Sequence, residues 1–325
     1  MTGYTAISFK HLNEPVHEVT KLGQSEIAPI PVFAESEWQG RGDMRFVLRD
    51  PTENRYLVGG RGGPRAGAYF WYPDGHRIDL PVVGAGDNAL IDPEHDAFVV
   101  PDHLGNAVVI GRLSDPSQPT VIAMSPYEPG SFDKPRVVAA DWKRDRILLI
   151  DESDVLWSVP TRWGVPHKLY SIHCYGTWVT LDVAKDQIIF GGSETVHVLD
   201  ASTLQLRGVI PVSTSLYSTQ AFDPECRRLY RMNTVRGQIE LIDLDRGTVV
   251  REVHVGFGFY YGVYDVTRKL LLVSDYAHGD LVEFSAGLEP VRSRFVGHRT
   301  RSIDLDPVRG TVYLASAAGA FEVRI

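Results

Sequence analysis

Three features of the chain predict an all-β fold: a ring of seven four-stranded blades, a seven-bladed β-propeller. A turn recurs seven times, starting at Asp50, Asp92, Asp141, Asp182, Asp223, Asp265 and Asp306, at intervals of 42, 49, 41, 41, 42 and 41 residues. Each turn follows one short apolar run and precedes another, in the alternating pattern of half-buried strands. The period then continues without a break from about residue 40 to the C-terminus. Units of about forty residues, each one small sheet, cannot bury their faces alone and close into a ring. The expected organisation is a single propeller domain over residues 1–325.

The fifth unit shows the elements most plainly. Strand A covers 218–222, and the Asp223-Pro224 turn follows, where Pro pre-sets φ at the second turn position. Strand B covers 228–232, a loop runs to Gly237, and strand C alternates over 238–243. Asp245-Arg246-Gly247 then turns the chain into strand D at 249–255. The other units align, with B-to-C stretches at 56–71, 98–110, 147–157, 188–198, 270–284 and 312–323. The 49-residue interval carries a Pro- and Ser-rich insertion, 114–132, expected in the C–D turn and the D–A loop. The last unit stops after strand C. Residues 16–23 resemble the strand D at 291–297 and are expected to close the last blade as its fourth strand, which removes an exposed sheet edge.

Composition excludes several classes. The net charge of -8, with no basic run, argues against nucleic acid and anionic membranes as partners. No apolar stretch approaches the ~20 residues that span a bilayer, and the N-terminus has no signal pattern. Cys174 and Cys226 lie in different units, so neither a disulfide framework nor a Cys-rich metal site is expected. The expectation is a cytoplasmic monomer.

The run Arg228-Leu229-Tyr230-Arg231-Met232-Asn233, followed by Gln238-Ile239-Glu240-Leu241-Ile242-Asp243, resembles the tyrosine-and-asparagine B strand and apolar C strand of the YVTN-repeat and lactonase-like propellers. The resemblance extends over residues 43–325, although only this unit has the Tyr-x-x-Asn form. It implies a seven-bladed ring. It also implies chemistry such as elimination, ring opening or cyclisation without a redox cofactor. The superfamily also contains pure scaffolds, so the fold does not decide the function.

Strand A lines the channel of a propeller, and the D–A and B–C loops share one face. Five residues before each turn aspartate stand Arg45, Asp87, Arg136, Thr177, Ser218, Tyr260 and Arg301, an unusually polar set for inner strands. One position later stand Phe46, Asn88, Val137, Trp178, Thr219, Tyr261 and Ser302. The substrate-binding candidates are Arg45, Arg136, Arg301, Asn88, Trp178, Tyr217 and Tyr261. Guanidinium forks suit carboxylate or phosphate, and the aromatic rings supply flat walls with polar handles. The competing reading pairs the arginines with Asp43, Asp87, Asp133 or Asp304 as ties between blades. The acid–base candidates are His278, His173 and Tyr260. His103 and His298 also fall on loops of the same face. Gly59-Gly60-Arg61-Gly62-Gly63-Pro64-Arg65 is either a flexible B–C loop or a lid carrying arginines. There is no His-x-His, His-Glu-x-x-His, Cys pair or Gly-x-Ser-x-Gly turn, so no metal, cofactor or serine nucleophile is assigned.

Two functions follow from different classes. One is a cofactor-independent lyase, isomerase or cyclase acting on a small, anionic, partly apolar molecule in the channel. The other is a scaffold that binds a protein or peptide on one face through Trp38, Trp163, Phe257 and Phe259. The direction of those aromatics, inward or outward, separates the two.

Overall fold

The turn aspartate ends the inner strand of every blade. A computed structural model describes residues 27–30, 44–62, 66–124, 134–162, 164–171, 178–215, 217–297, 299–316 and 319–325. They form seven four-stranded antiparallel sheets arranged as a seven-bladed propeller. The inner strands are Met44–Asp50, Leu90–Asp92, Pro135–Asp141, Trp178–Asp182, Ser218–Asp223, Phe259–Asp265 and Ile303–Asp306, and each ends on the recurring aspartate. In six blades its Oδ1 accepts a backbone N–H of the turn, as from Thr52 at 2.8 Å and from Arg309 at 3.0 Å. Four residues after the aspartate the chain takes a left-handed conformation in six blades: Asp96, Asp145, Asp186, Arg227, Lys269 and Gly310, with φ between 48° and 62°. This is the bulge that aligns a tight turn with the next strand. Blade 3 differs. Its turn is one 3-10 turn, Trp142–Arg144, and Asp141 bonds Arg144 and Arg146 instead.

The same aspartates recruit arginines that tie blade to blade. Arg55 donates from Nε to Asp50 Oδ2 at 2.7 Å, and its Nη2 donates to the Leu113 carbonyl in blade 2. Arg146 joins Asp141 to the Ala201 carbonyl of blade 4, and Arg268 joins Asp265 to the Pro307 carbonyl of blade 7. Arg227 of blade 5 reaches back to Asp182 of blade 4 at 2.8 Å. The repeat visible in the sequence is therefore the turn cap in six blades and the anchor of an arginine tie at four of the seven blade junctions. Between the sheets lie apolar layers such as Leu57, Phe70, Phe98 and Val100, with the Phe70 and Phe98 rings 5.0 Å apart.

The last blade contains Ile303–Asp306, Thr311–Ser316 and Gly319–Arg324, closed by an N-terminal strand. That strand is Ile27–Ile30, antiparallel to the last one with Ile27 opposite Val323 and Ile30 opposite Ala320. Residues 16–23, where the sequence places it, lie outside the described residues. Pro29 makes the observed segment hard to read as a strand, since a proline breaks a ladder on one side. At the outer edge of a blade no neighbour needs that N–H. In blade 2 the insertion resolves into a C–D connection followed by the strand Thr120–Ala123; residues 125–133 lie outside the described residues. Among the described residues no helix is long and apolar enough to cross a membrane.

Candidate functional site

At one end of the channel the D–A and B–C loops enclose a cavity of about 720 Å³. Five of the six described residues in the polar register line it: Arg45, Asp87, Arg136, Tyr260 and Arg301. The sixth, Ser218, is buried. Thr177 lies outside the described residues.

Local backbone irregularity aims three of these side chains. The pairing register slips between Met44 and Phe46, between Pro135 and Val137, and between Phe259 and Tyr261. The extra residues are Arg45, Arg136 and Tyr260. A β-bulge leaves one residue unpaired and redirects it, and here all three turn into the cavity. Asp87 arrives differently. The inner strand of blade 2 begins only at Leu90, and Gly86 lets the preceding segment press against blade 3. A Cβ on Gly86 would stand 2.6 Å from the Arg136 carbonyl oxygen and 2.4 Å from Pro101 Cγ. The Asp87 N–H donates to that same carbonyl at 2.7 Å.

The result is one carboxylate held by three arginines. Asp87 Oδ1 accepts from Arg45 Nη1 at 3.1 Å and from Arg61 Nη2 at 2.7 Å, while Oδ2 accepts from Arg136 Nε at 3.0 Å. Asp87 is almost fully buried, whereas the three guanidinium side chains keep 12%, 16% and 16% of their surface open. Burial pushes the Asp87 carboxyl up, but Arg136, Arg61 and Arg45 together outweigh it and hold the group well below the usual carboxylate range. Burial lowers Arg61, and repulsion from Arg45 and Arg136 adds to that against the pull of Asp87. Arg136 is also penalised by burial, yet its bond to Asp87 raises it on balance. Arg45 and Arg136 thus each make the inter-blade pair with Asp87 that the sequence offered as the alternative, and they also line the cavity.

Aromatic rings form the facing wall. Tyr217, Phe257, Tyr260 and Tyr276 line the cavity with Thr234 and Val235. The Arg301 guanidinium lies 5.0 Å from the Tyr276 ring centre, and that of Arg136 lies 6.0 Å from Tyr217. Tyr261 and Trp178 do not line the cavity; Tyr261 packs 4.6 Å from Tyr260, and Trp178 packs 5.5 Å from Tyr261. Burial, with the nearby Asp87 charge, raises both tyrosines, so Tyr260 presents a neutral phenol to the cavity.

The remaining candidates distribute as follows. Asn88 uses both ends of its amide on the Val138 backbone, at 3.0 and 2.9 Å, which clips blade 2 to blade 3. His278 bonds Asp275 through Nδ1 at 2.6 Å within its own B–C turn and does not line the cavity. His173, Cys174, His298, Trp38 and Trp163 lie outside the described residues. His103 is buried beside Glu152, with Nε2 3.2 Å from Glu152 Oε1 and Nδ1 3.3 Å from the Pro135 carbonyl. Burial and Arg61 pull it down to about 4, against Glu152 and Asp87. Glu152 itself lines the cavity and stands 3.7 Å from Lys134 Nζ. Among the described residues no three His, Cys, Asp or Glu side chains gather as a metal site.

A second register was open to reading and was missed. Eleven residues after each turn aspartate stand Arg61, His103, Glu152, Ser193, Thr234, Tyr276 and Ala317. Ala317 lies outside the described residues, and the other six fall at the start of the B–C loops. Arg61, Glu152, Thr234 and Tyr276 line the cavity, and His103 supports Glu152. Comparison with protein-family models and with curated proteins finds no match to this chain.

Proposed function

We propose that this propeller binds a small organic anion in the channel-mouth cavity and acts on it as a cofactor-independent lyase- or isomerase-type enzyme. The observation that carries the reading is the triple arginine clamp on buried Asp87, open to the cavity and opposite an aromatic wall. A cavity with apolar walls and a few convergent polar groups is what small-molecule sites look like. The resemblance to the YVTN-repeat and lactonase-like propellers supports an enzyme of this class. Arginines already held in place can stabilise charge that develops on a carboxylate or enolate without reorganising. Proton handling falls to Glu152, positioned by His103 and Lys134, and to the Tyr260 phenol. Phe257 faces the cavity and Phe259 is buried, so neither serves as an outward anchor for a protein partner.

The test is a thermal-shift screen of carboxylated and phosphorylated small molecules against the parent and Arg61→Gln. A ligand at ~100 times its dissociation constant stabilises by about 2.7 kcal/mol. The parent should shift by several degrees and the folded variant by much less. For any ligand found, NMR detection of product with the parent, lost in Glu152→Gln while binding persists, supports catalysis. Absence of any shift in a well-folded parent refutes the anion site, and binding without turnover refutes the enzyme.

A further inference from the structure

We propose that the ligand is an aryl carboxylate: a planar carboxylate held end-on by the two Nη groups of Arg136, with its ring against Tyr217. The inference rests on the reading of the cavity as an anion site and narrows it to one chemical class. The Arg136 Nε donates to Asp87 Oδ2 at 3.0 Å, whereas its Nη1 and Nη2 donate to no described residue. Those two groups are the end of a fork on a side chain that lines the cavity and stays 16% exposed. Arg61 is more fully used. Its Nε donates to the Ala85 carbonyl at 2.9 Å and its Nη2 to Asp87 at 2.7 Å, so one nitrogen, Nη1, has no described acceptor. Asp87 thus consumes the inner donors and aims what is left of Arg136 at the cavity.

Two coplanar N–H groups at the end of a guanidinium match the two oxygens of one carboxylate with parallel hydrogen bonds. The bond to Asp87 holds the guanidinium in place and keeps it charged before any ligand arrives. A phosphoryl group would bring a third oxygen that this fork does not meet. The ring is assigned from the neighbouring wall. Tyr217 lies 6.0 Å from the same guanidinium and is 51% exposed. A ring joined directly to the carboxylate stays within reach of Tyr217 and covers apolar surface that is otherwise open to water. Val235 and Phe257 continue the wall. The Tyr260 phenol, kept protonated by burial, stands close enough to Arg136 for each to bias the other's ionisation, and it adds a neutral donor on the same side.

Isothermal titration calorimetry of the full chain at pH 7.5 with benzoate, benzamide, acetate and phenyl phosphate tests this. Benzoate should bind at least about tenfold more tightly than benzamide, its neutral planar counterpart, and than acetate, which lacks the ring. It should also bind more tightly than phenyl phosphate. Arg136→Lys keeps a positive charge beside Asp87 and removes the fork, and it should weaken benzoate at least about tenfold. Tyr217→Ala, at an exposed position, should weaken benzoate about fivefold and leave acetate unchanged. It serves as the probe if Arg136→Lys does not fold. Benzoate bound equally by the parent and a folded Arg136→Lys overturns the fork and leaves the anion site standing, as does tighter binding of phenyl phosphate. Acetate bound as tightly as benzoate, or Tyr217→Ala matching the parent for benzoate, overturns the placement of the ring. Benzamide bound as tightly as benzoate, or no binding of any of the four, overturns the anion site as well.

Discussion

Replacing Asp87 by Asn removes the counter-charge of the arginine cluster and keeps its shape. Three guanidiniums then lose the carboxylate they share, and the new amide turns a donor toward one of them. Breaking a buried ion pair by removing one partner costs about 3–5 kcal/mol. The three arginine side chains remain 12–16% exposed, so the lower end of that range applies. A chain of 325 residues has an unfolding entropy near 0.7 kcal/mol per degree at about 2.1 cal/mol/K per residue. At about 3 kcal/mol the melting temperature should therefore drop by about 4–5 °C in differential scanning calorimetry. Inorganic phosphate should restore part of that drop, because it can occupy the place of the lost carboxylate. The rescue should exceed any phosphate effect on the parent. A variant that melts within a degree of the parent, or that responds to phosphate no more than the parent does, would refute the account of Asp87 as the group that holds the cluster together.

The pH dependence of the same variant gives a second check. The folded-state pKa of Asp87 lies below its unfolded value of 3.8. Its stabilising contribution is then complete above pH 4 and is lost only as the pH falls below that value. The difference in stability between parent and Asp87→Asn should stay constant from pH 5 to pH 8. A difference that vanishes between pH 8 and pH 5 would contradict the cited direction.

Three further outcomes follow from other parts of the ring. Two residues before the turn aspartates lies a belt of Leu48, Leu90, Ala139, Thr180, Ala221, Val263 and Asp304, in which Asp304 alone is charged and accepts the Arg49 N–H at 3.3 Å. Burial pushes Asp304 up to about 6, so the folded state loses stability as pH rises from 4 to 6. Asp304→Asn should stabilise at pH 7.5 by up to about 3 kcal/mol and not at all at pH 4, read from urea midpoints. Arg231 and Glu240 form a fully buried pair whose arginine also donates to the Ser193 and Ser213 carbonyls. Arg231→Met should cost about 3–5 kcal/mol, and Arg231→Met with Glu240→Met should recover much of it; a double variant as unstable as the single one would contradict this. Gly86→Ala, which drives a methyl toward Pro101 and the Arg136 carbonyl, should displace Asp87 and lower the melting temperature by about 1–4 °C in differential scanning calorimetry; an unchanged melting temperature would contradict the close approach.

The blades were legible because their repeat is chemical and local. An aspartate at the turn between inner and second strand recurs at the period of the fold, so the spacing alone located all seven inner strands. Stacking the units on that aspartate also brought Arg45, Asp87, Arg136, Tyr260 and Arg301 to one mouth of the channel. What it could not supply was direction within a position. Bulges at Arg45, Arg136 and Tyr260 leave no mark in an alternating pattern, and nothing in the sequence says that the short inner strand of blade 2 lets Asp87 swing under three arginines. Asn88 shows the opposite error: a polar residue at the channel register whose amide is consumed by a neighbouring backbone. His278 falls outside the cavity for a related reason. Nearness of Asp275 and His278 in sequence reflects a turn that closes on itself, whereas His103 and Glu152 meet across two blades. Period thus carries information about which residues share a layer. Pairing between layers is decided by where strands start and where they bulge, and it is there that this ring departs from its own repeat and concentrates its charge.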